Sequence, residues 1–231
     1  PIVAEEEKEL EQAAGKIVEL HPDIIEWRAD CYKDVCDIVK VKKALKTLRG
    51  IIKEVPLIFT FRSSLEGGFQ KVDDDLRYEI IKQAINTGEA DTIDIELISG
   101  KKNIDKIKAA ADKYHIPLII SYHNFQETPP VEFLTDLARQ QVACGADIAK
   151  IAVMPKSEED VLNLLMATLR IRREMPDTPL ITMSMGNIGV ISRIAGGIFG
   201  SDLTFGASEK TSAPGQIPIA ELRASMKTLL R

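Results

Sequence analysis

The decapeptide ADIAKIAVMP, residues 146–155, places a lysine inside an apolar, strand-like run. Lys150 is flanked by Ile148, Ala149, Ile151, Ala152 and Val153, and an ammonium is costly to bury unpaired. A lysine amine is protonated at neutral pH, but desolvation and nearby cations can lower such a group by roughly 3–5 units and free it to attack a carbonyl. The Schiff base so formed draws electrons from the neighbouring carbon, whose proton a base can then remove. His123, closing the stretch PLIISYH (117–123), titrates near neutrality and is the candidate base. A lone lysine in a strand is weak evidence, because a buried ion-pair partner gives the same pattern. A lysine and a histidine at inward positions of adjacent strands point to covalent catalysis.

What must position this pair is a repeating rhythm. Short β-rich runs occur at 23–30, 56–62, 91–97, 117–123, 147–153, 179–185 and 202–208. Between them lie segments of helical period, such as DDDLRYEIIKQAINTG (73–88) and SEEDVLNLLMATLRIRREM (157–175). Ser157 with Asp160 predicts a capping-box start, and Gly88 predicts a stop. Strand–helix alternation with short connections implies parallel strands and right-handed crossovers. Seven strands plus the opening PIV give eight units of roughly 29 residues, the pattern of a (β/α)8 TIM barrel. The class predicted is therefore α/β, with residues 1–231 as a single domain. PIV is too short for a barrel strand, so the first strand is expected to be truncated. An open doubly wound sheet is the competitor, but no glycine-rich phosphate fingerprint follows an early strand.

In a barrel strand alternate residues face the interior, and chemistry gathers at the C-terminal ends. Five strands pass a parity test. Glu26, Arg28 and Asp30 oppose Ile25, Trp27 and Ala29; Thr60 and Arg62 oppose Leu57, Phe59 and Phe61. Asp94 and Glu96 oppose Ile93, Ile95 and Leu97; Ser121 and His123 oppose Leu118, Ile120 and Tyr122; Lys150 opposes Ala149, Ile151 and Val153. A sheet covered by helical crossovers has no solvated face on which such residues could form surface salt pairs. Glu26, Asp94, Glu96 and His123 could ligate a hard cation, but Lys150, Arg28 and Arg62 would repel it. A metal site therefore ranks second to the covalent reading.

Composition narrows the partners. A net charge of -5 argues against nucleic acid or an anionic membrane surface. No apolar run approaches the roughly 18 residues of a membrane span, and no leader pattern appears. Cys31, Cys36 and Cys144 form neither a disulfide framework nor a zinc spacing, so a reducing cytoplasm is expected.

The stretches EWRAD (26–30), TFRSSLEGG (60–68), SYHNF (121–125), ADIAKIAVMP (146–155), MSMG (183–186), SR (192–193), LTFGA (203–207) and SAPGQI (212–217) carry a resemblance. In type and order they resemble the type I 3-dehydroquinate dehydratases, lyases of the shikimate pathway. The resemblance implies that Lys150 forms a Schiff base with the ring ketone of 3-dehydroquinate. It implies that His123 moves the protons and that Glu66 orients or polarises it. Arg193 would take the substrate carboxylate, and Glu26, Arg28 and Arg62 would bind hydroxyls and set the pocket charge. Met183 and Met185 would form an apolar wall. Segment 206–218 would be a lid, with Ser212 and Gln216 touching the ligand. Members of the family are often homodimers. Family members usually carry an N-terminal hairpin and a full first strand before the position of Pro1. Two alternatives stand beside this one: another Schiff-base barrel such as a class I aldolase, or a non-catalytic barrel binding a polyhydroxy acid.

Overall fold

A computed structural model describes residues 1–229. Six strands alternate with helices: β1 (Ile25–Arg28), β2 (Leu57–Thr60), β3 (Thr92–Glu96), β4 (Leu118–Asn124), β5 (Ile148–Val153) and β6 (Leu180–Ser184). The helices are α1 (Glu7–Glu19), α2 (Ile38–Ile52), α3 (Asp74–Thr87), α4 (Lys101–Lys113), α5 (Val131–Ala143), α6 (Glu158–Glu174), α7 (Val190–Phe199) and α8 (Ile219–Leu229). Five strands lie inside the β-rich runs that predict them, trimmed by a residue or two, and β4 runs one residue past its own, to Asn124. The predicted caps hold. Gly88 ends α3 at φ +71, and the Ser157 hydroxyl accepts from Asp160 N at 3.4 Å at the start of α6. The Asp160 carboxylate returns the bond one residue early, to Lys156 N at 2.7 Å.

The two ends of the series differ from expectation. Pro1–Val3 contributes a single parallel bridge, Ile2 to Trp27, in which Ile2 N donates to Glu26 O and Arg28 N to Ile2 O. Residues 202–208 are not a strand. Asp202 N donates to Leu180 O, but the Ser201 hydroxyl then takes Thr182 N at 3.0 Å, and only Ala207 bridges, to Pro218. A side chain has replaced the backbone ladder there.

The chain forms two compact units. The first comprises Pro1–Ile119 with Ser208–Ser212. In it β1 pairs with β2 and β2 with β3, all parallel. The register aligns Arg28, Thr60 and Asp94 at one level, and Trp27, Phe59 and Ile93 one residue earlier on the opposite face. Trp27 and Phe59 meet edge-on at 5.5 Å. β1 and β2 are buried on both faces, so parity separates helix-packed residues from interior ones rather than core from solvent.

The second unit comprises Ile120–Ala207 with Ala213 onward. There β5 neighbours β4 and pairs in parallel with β6. Its register sets Lys150 beside Ile181 and Ala152 beside Met183. The alternate face carries Thr182, whose hydroxyl meets that of Thr168 on α6 at 2.8 Å.

Both units begin a strand with the same clasp. In the first, Arg49 of α2 donates to Lys53 O and Val55 O and pairs with Asp91, which accepts from Leu57 N at 2.7 Å. In the second, Arg172 of α6 donates to Pro176 O and Thr178 O and pairs with Asp202, which accepts from Leu180 N at 2.7 Å. The offsets from each arginine are identical, four and six residues to the carbonyls and eight to the first residue of the strand. Each clasp satisfies loop carbonyls that a helix end leaves open.

Candidate active site

In the second unit, β5 carries Lys150 on the face shared with Ile181 and Met183, 3% exposed. Its ammonium nitrogen lies 4.8 Å from the centroid of the Phe205 ring, a cation–π distance. From the far side of the strand, Gln141 of α5 donates to the Lys150 carbonyl at 2.8 Å. His123 sits near the end of β4, the strand beside β5, and is half-buried.

Arg193 belongs to α7, a helix whose sequence is otherwise almost wholly apolar, and is 1% exposed. Its Nη2 donates to Pro214 O at 3.0 Å, and its Nη1 reaches Phe205 O at 3.5 Å and the Met183 sulfur at 3.7 Å. Nε has no partner, and no described carboxylate pairs with the guanidinium. Burial alone therefore pushes Arg193 down to about 10. Phe205 is the common element, its ring against Lys150 and its carbonyl against Arg193. Met183 touches Arg193, and Met185 is fully buried after β6.

The segment expected to be a lid has two sets of bonds. Within the first unit, Lys16 of α1 pairs with Glu209 at 2.7 Å, Glu9 pairs with Lys210, and Arg28 donates to Ser212 O at 3.2 Å. Within the second unit, Pro214 O accepts from both Arg193 and Gly186 N. Gly215 adopts φ +77, and a Cβ there would stand 2.3 Å from Gly186 O, so only glycine fits. Ser212 and Gln216 are half-buried.

The first unit gathers the remaining charged residues, and most neutralise one another. Arg62 bonds Asp94 at 2.9 Å and Glu96 at 2.9 Å. Glu96 also takes Arg77 at 2.8 Å and Ser63 N at 2.8 Å. Arg28 makes a two-pronged pair with Asp30, both contacts 2.8 Å. Glu26 accepts from the Thr60 hydroxyl at 2.9 Å. Burial works against the charge on Arg62, but Asp94 and Glu96 outweigh it and hold the group above its ordinary range. Arg28 is likewise held up by Asp30 against the cost of burial. Glu66 is buried in a one-turn 3-10 segment after β2. Among the described residues no three histidine, cysteine, aspartate or glutamate side chains are grouped to hold a metal ion.

Sequence reasoning passed over Asp30, Arg77 and Phe205 as site residues. Phe205 lies in the motif LTFGA and Asp30 closes EWRAD, so both sat inside recognised stretches. Arg77 had its own signal. It shares the helical stripe of Ile80, Ile81 and Ala84, where an arginine must find a buried partner.

Parallel strands returned by helices define an α/β chain of the (β/α)8 barrel class. The crystal structure of a 3-dehydroquinate dehydratase from Geobacillus kaustophilus shares the fold with a TM-score of 0.97 at 40% identity, covering 100% of this chain and 89% of that one. A type I 3-dehydroquinate dehydratase from Clostridium difficile, solved with covalent modified comenic acid, gives a TM-score of 0.95 at 44% identity, covering 99% and 90%. A 3-dehydroquinate dehydratase of Bacillus licheniformis is 43% identical over 231 residues, 100% of this chain and 91% of its own. The family described as type I 3-dehydroquinase matches residues 1–230, and the chain belongs to it.

Proposed function

We propose that this chain is a single catalytic domain that dehydrates 3-dehydroquinate to 3-dehydroshikimate through a Schiff base on Lys150. The amine adds to the ring ketone and water leaves, giving an iminium. His123 removes a proton from the adjacent carbon, and the electron pair moves into an enamine. The enamine expels the ring hydroxyl, which departs as water with the proton His123 returns. Water then hydrolyses the iminium, releasing product and restoring the amine. The net change is loss of one water, with no cofactor or metal required. Glu66 serves the proton transfers, and Glu26, Arg28, Arg62, Ser212 and Gln216 serve recognition, with Met183 and Met185 as apolar wall.

The observation that carries this reading is Arg193, a buried guanidinium with no carboxylate of its own that shares Phe205 with Lys150. A buried cation lacking a counter-ion is stabilised when an anion arrives, and 3-dehydroquinate brings a carboxylate together with its ketone. A simple aldolase needs the lysine but not this arginine. The covalent compound in the Clostridium difficile relative also fits a nucleophilic site.

Incubation with 3-dehydroquinate and borohydride should leave a stable mass adduct on Lys150, and turnover should be indifferent to chelator. Turnover without an adduct, or lost with chelator, would sink the mechanism. The same reading places the enzyme in the cytoplasm, in aromatic amino-acid biosynthesis, without nucleic-acid or membrane partners. No described helix is long and apolar enough to cross a membrane. It also makes the enzyme a homodimer. Leu162 and Met166 of α6 and Ile191 and Ile198 of α7 are exposed apolar side chains suited to a second copy. A monomeric mass by light scattering at working concentration would remove that part.

A further inference from the structure

Asp30 is fully buried, and its carboxylate accepts four N–H groups. Oδ1 takes Arg28 Nε at 2.8 Å and Arg62 N at 3.4 Å; Oδ2 takes Arg28 Nη2 at 2.8 Å and Phe69 N at 3.0 Å. Its backbone carbonyl adds Gln70 Nε2 at 3.1 Å, and that amide also reaches Tyr32 O at 2.6 Å. The partners come from three places. Arg28 is in β1, Arg62 follows β2, and Phe69 and Gln70 end the loop that carries Glu66.

We propose that Asp30 is a positioning residue that orders two active-site segments at once: loop 63–70 with Glu66, and segment 206–218 through Arg28 and Ser212. The inference rests on the roles given above to Glu66 and Ser212.

The loop is too tight to adjust piecemeal. Glu66 N and Gly68 N both donate to Ser63 O, and a Cβ at Gly68 would stand 2.1 Å from Arg62 O. A segment folded so closely on itself moves as a body, so its anchor at Phe69 N sets where Glu66 stands. Arg28 is the other arm. With Nε and Nη2 locked on Asp30, its Nη1 points to Ser212 O at 3.2 Å, and its plane lies over the Phe69 ring at 5.7 Å. Only an ionised carboxylate can serve all four donors. An amide offers a single acceptor oxygen and turns its own NH2 on one of them.

The test is Asp30→Asn, read first by hydrogen exchange without substrate. Exchange should quicken about tenfold or more in both 63–70 and 206–218, while β5 and β6 stay unchanged. Turnover should show kcat/KM down about tenfold or more, with the acid limb of its pH profile displaced. Asp30→Glu, which keeps the charge, should recover part of the protection in both segments. Gln70→Ala should loosen 63–70 alone. Faster exchange in 63–70 without 206–218 in Asp30→Asn, or in neither, would overturn the proposal. Should Asp30→Asn not fold, Gln70→Ala and Asp30→Glu carry the test: unchanged exchange at 63–70 in Gln70→Ala overturns it. The exchange measurement needs no turnover, so failure of the reaction assignment and failure of this inference are separable.

Discussion

Arg62 and Arg193 are both buried arginines, yet they keep opposite company. Arg62, in the first unit, lies between Asp94 and Glu96 and is held firmly charged. Arg193, in the second, has two carbonyls, a sulfur and a bare Nε, and burial lowers it unopposed. One region has settled its charges internally as it folds. The other carries a buried positive charge that an anionic ligand would relieve. Buried charge by itself therefore does not mark a candidate binding group; buried charge without a counter-charge does.

The largest effect should come from the group that the second region serves. Lys150→Met is expected to lower turnover by about 10³-fold or more and to abolish the borohydride adduct, with the circular dichroism spectrum unchanged. The two arginines should then part ways. Arg62→Met takes a buried cation from Asp94 and one of two from Glu96, and should cost about 3–5 kcal/mol of stability in denaturant unfolding. Arg193→Met leaves no opposite charge unpaired, only the Phe205 and Pro214 carbonyls short of one donor each; it should lose far less stability than Arg62→Met while raising KM about 10- to 100-fold. Equal destabilisation by both would erase the contrast.

A pH experiment sharpens it. Arg193 is lowered to about 10 in the ligand-free protein, and a carboxylate beside it favours the protonated form and raises it again. Substrate binding near pH 10 should therefore take up protons, and affinity should fall as pH climbs through that value. At pH 7 the group is protonated with and without ligand, so no uptake is expected from it. Calorimetry of Lys150→Met with 3-dehydroquinate, in buffers of different ionisation enthalpy, reads the uptake directly. The folding linkage has the matching sign: because the folded pKa lies below the ordinary value, the penalty of this group is full below about 10 and eases as pH rises above it.

Smaller effects belong to the segment bonded within both units. Gly215→Ala forces a Cβ onto Gly186 O at positive φ and should raise KM about tenfold with little change in unfolding. Glu9→Gln removes an exposed pair with Lys210, so KM should change less than about threefold, and the difference should vanish in high salt.

Much of this was legible in the residues. Strand positions followed from the length and β-richness of each run, and helix ends from Ser157 and Gly88, because those signals are local. Parity correctly separated Trp27, Phe59 and Ile93 from Arg28, Thr60 and Asp94. What parity cannot supply is the lateral neighbour. That Arg62 meets Asp94 and Glu96 depends on how stretches some thirty residues apart slide into register. Asp30 was passed over because, beyond Arg28 two residues away, its partners Arg62 N and Phe69 N are distant in sequence, and Arg77 because Glu96 is. Residues 202–208 read as a strand by composition, but Ser201 takes a ladder donor with its hydroxyl.

The clasps at Arg49 and Arg172 have an evolutionary side. Each arginine binds an aspartate far along the chain, and that aspartate holds the first amide of the strand eight residues after the arginine. A lineage losing Arg49 leaves Asp91 as a charge without its cation, and losing Asp91 leaves the Leu57 amide without its acceptor. Selection therefore acts on Arg49 with Asp91, and on Arg172 with Asp202, as two inherited pairs rather than four separate positions, and an alignment of relatives in which the partners vary independently would contradict this.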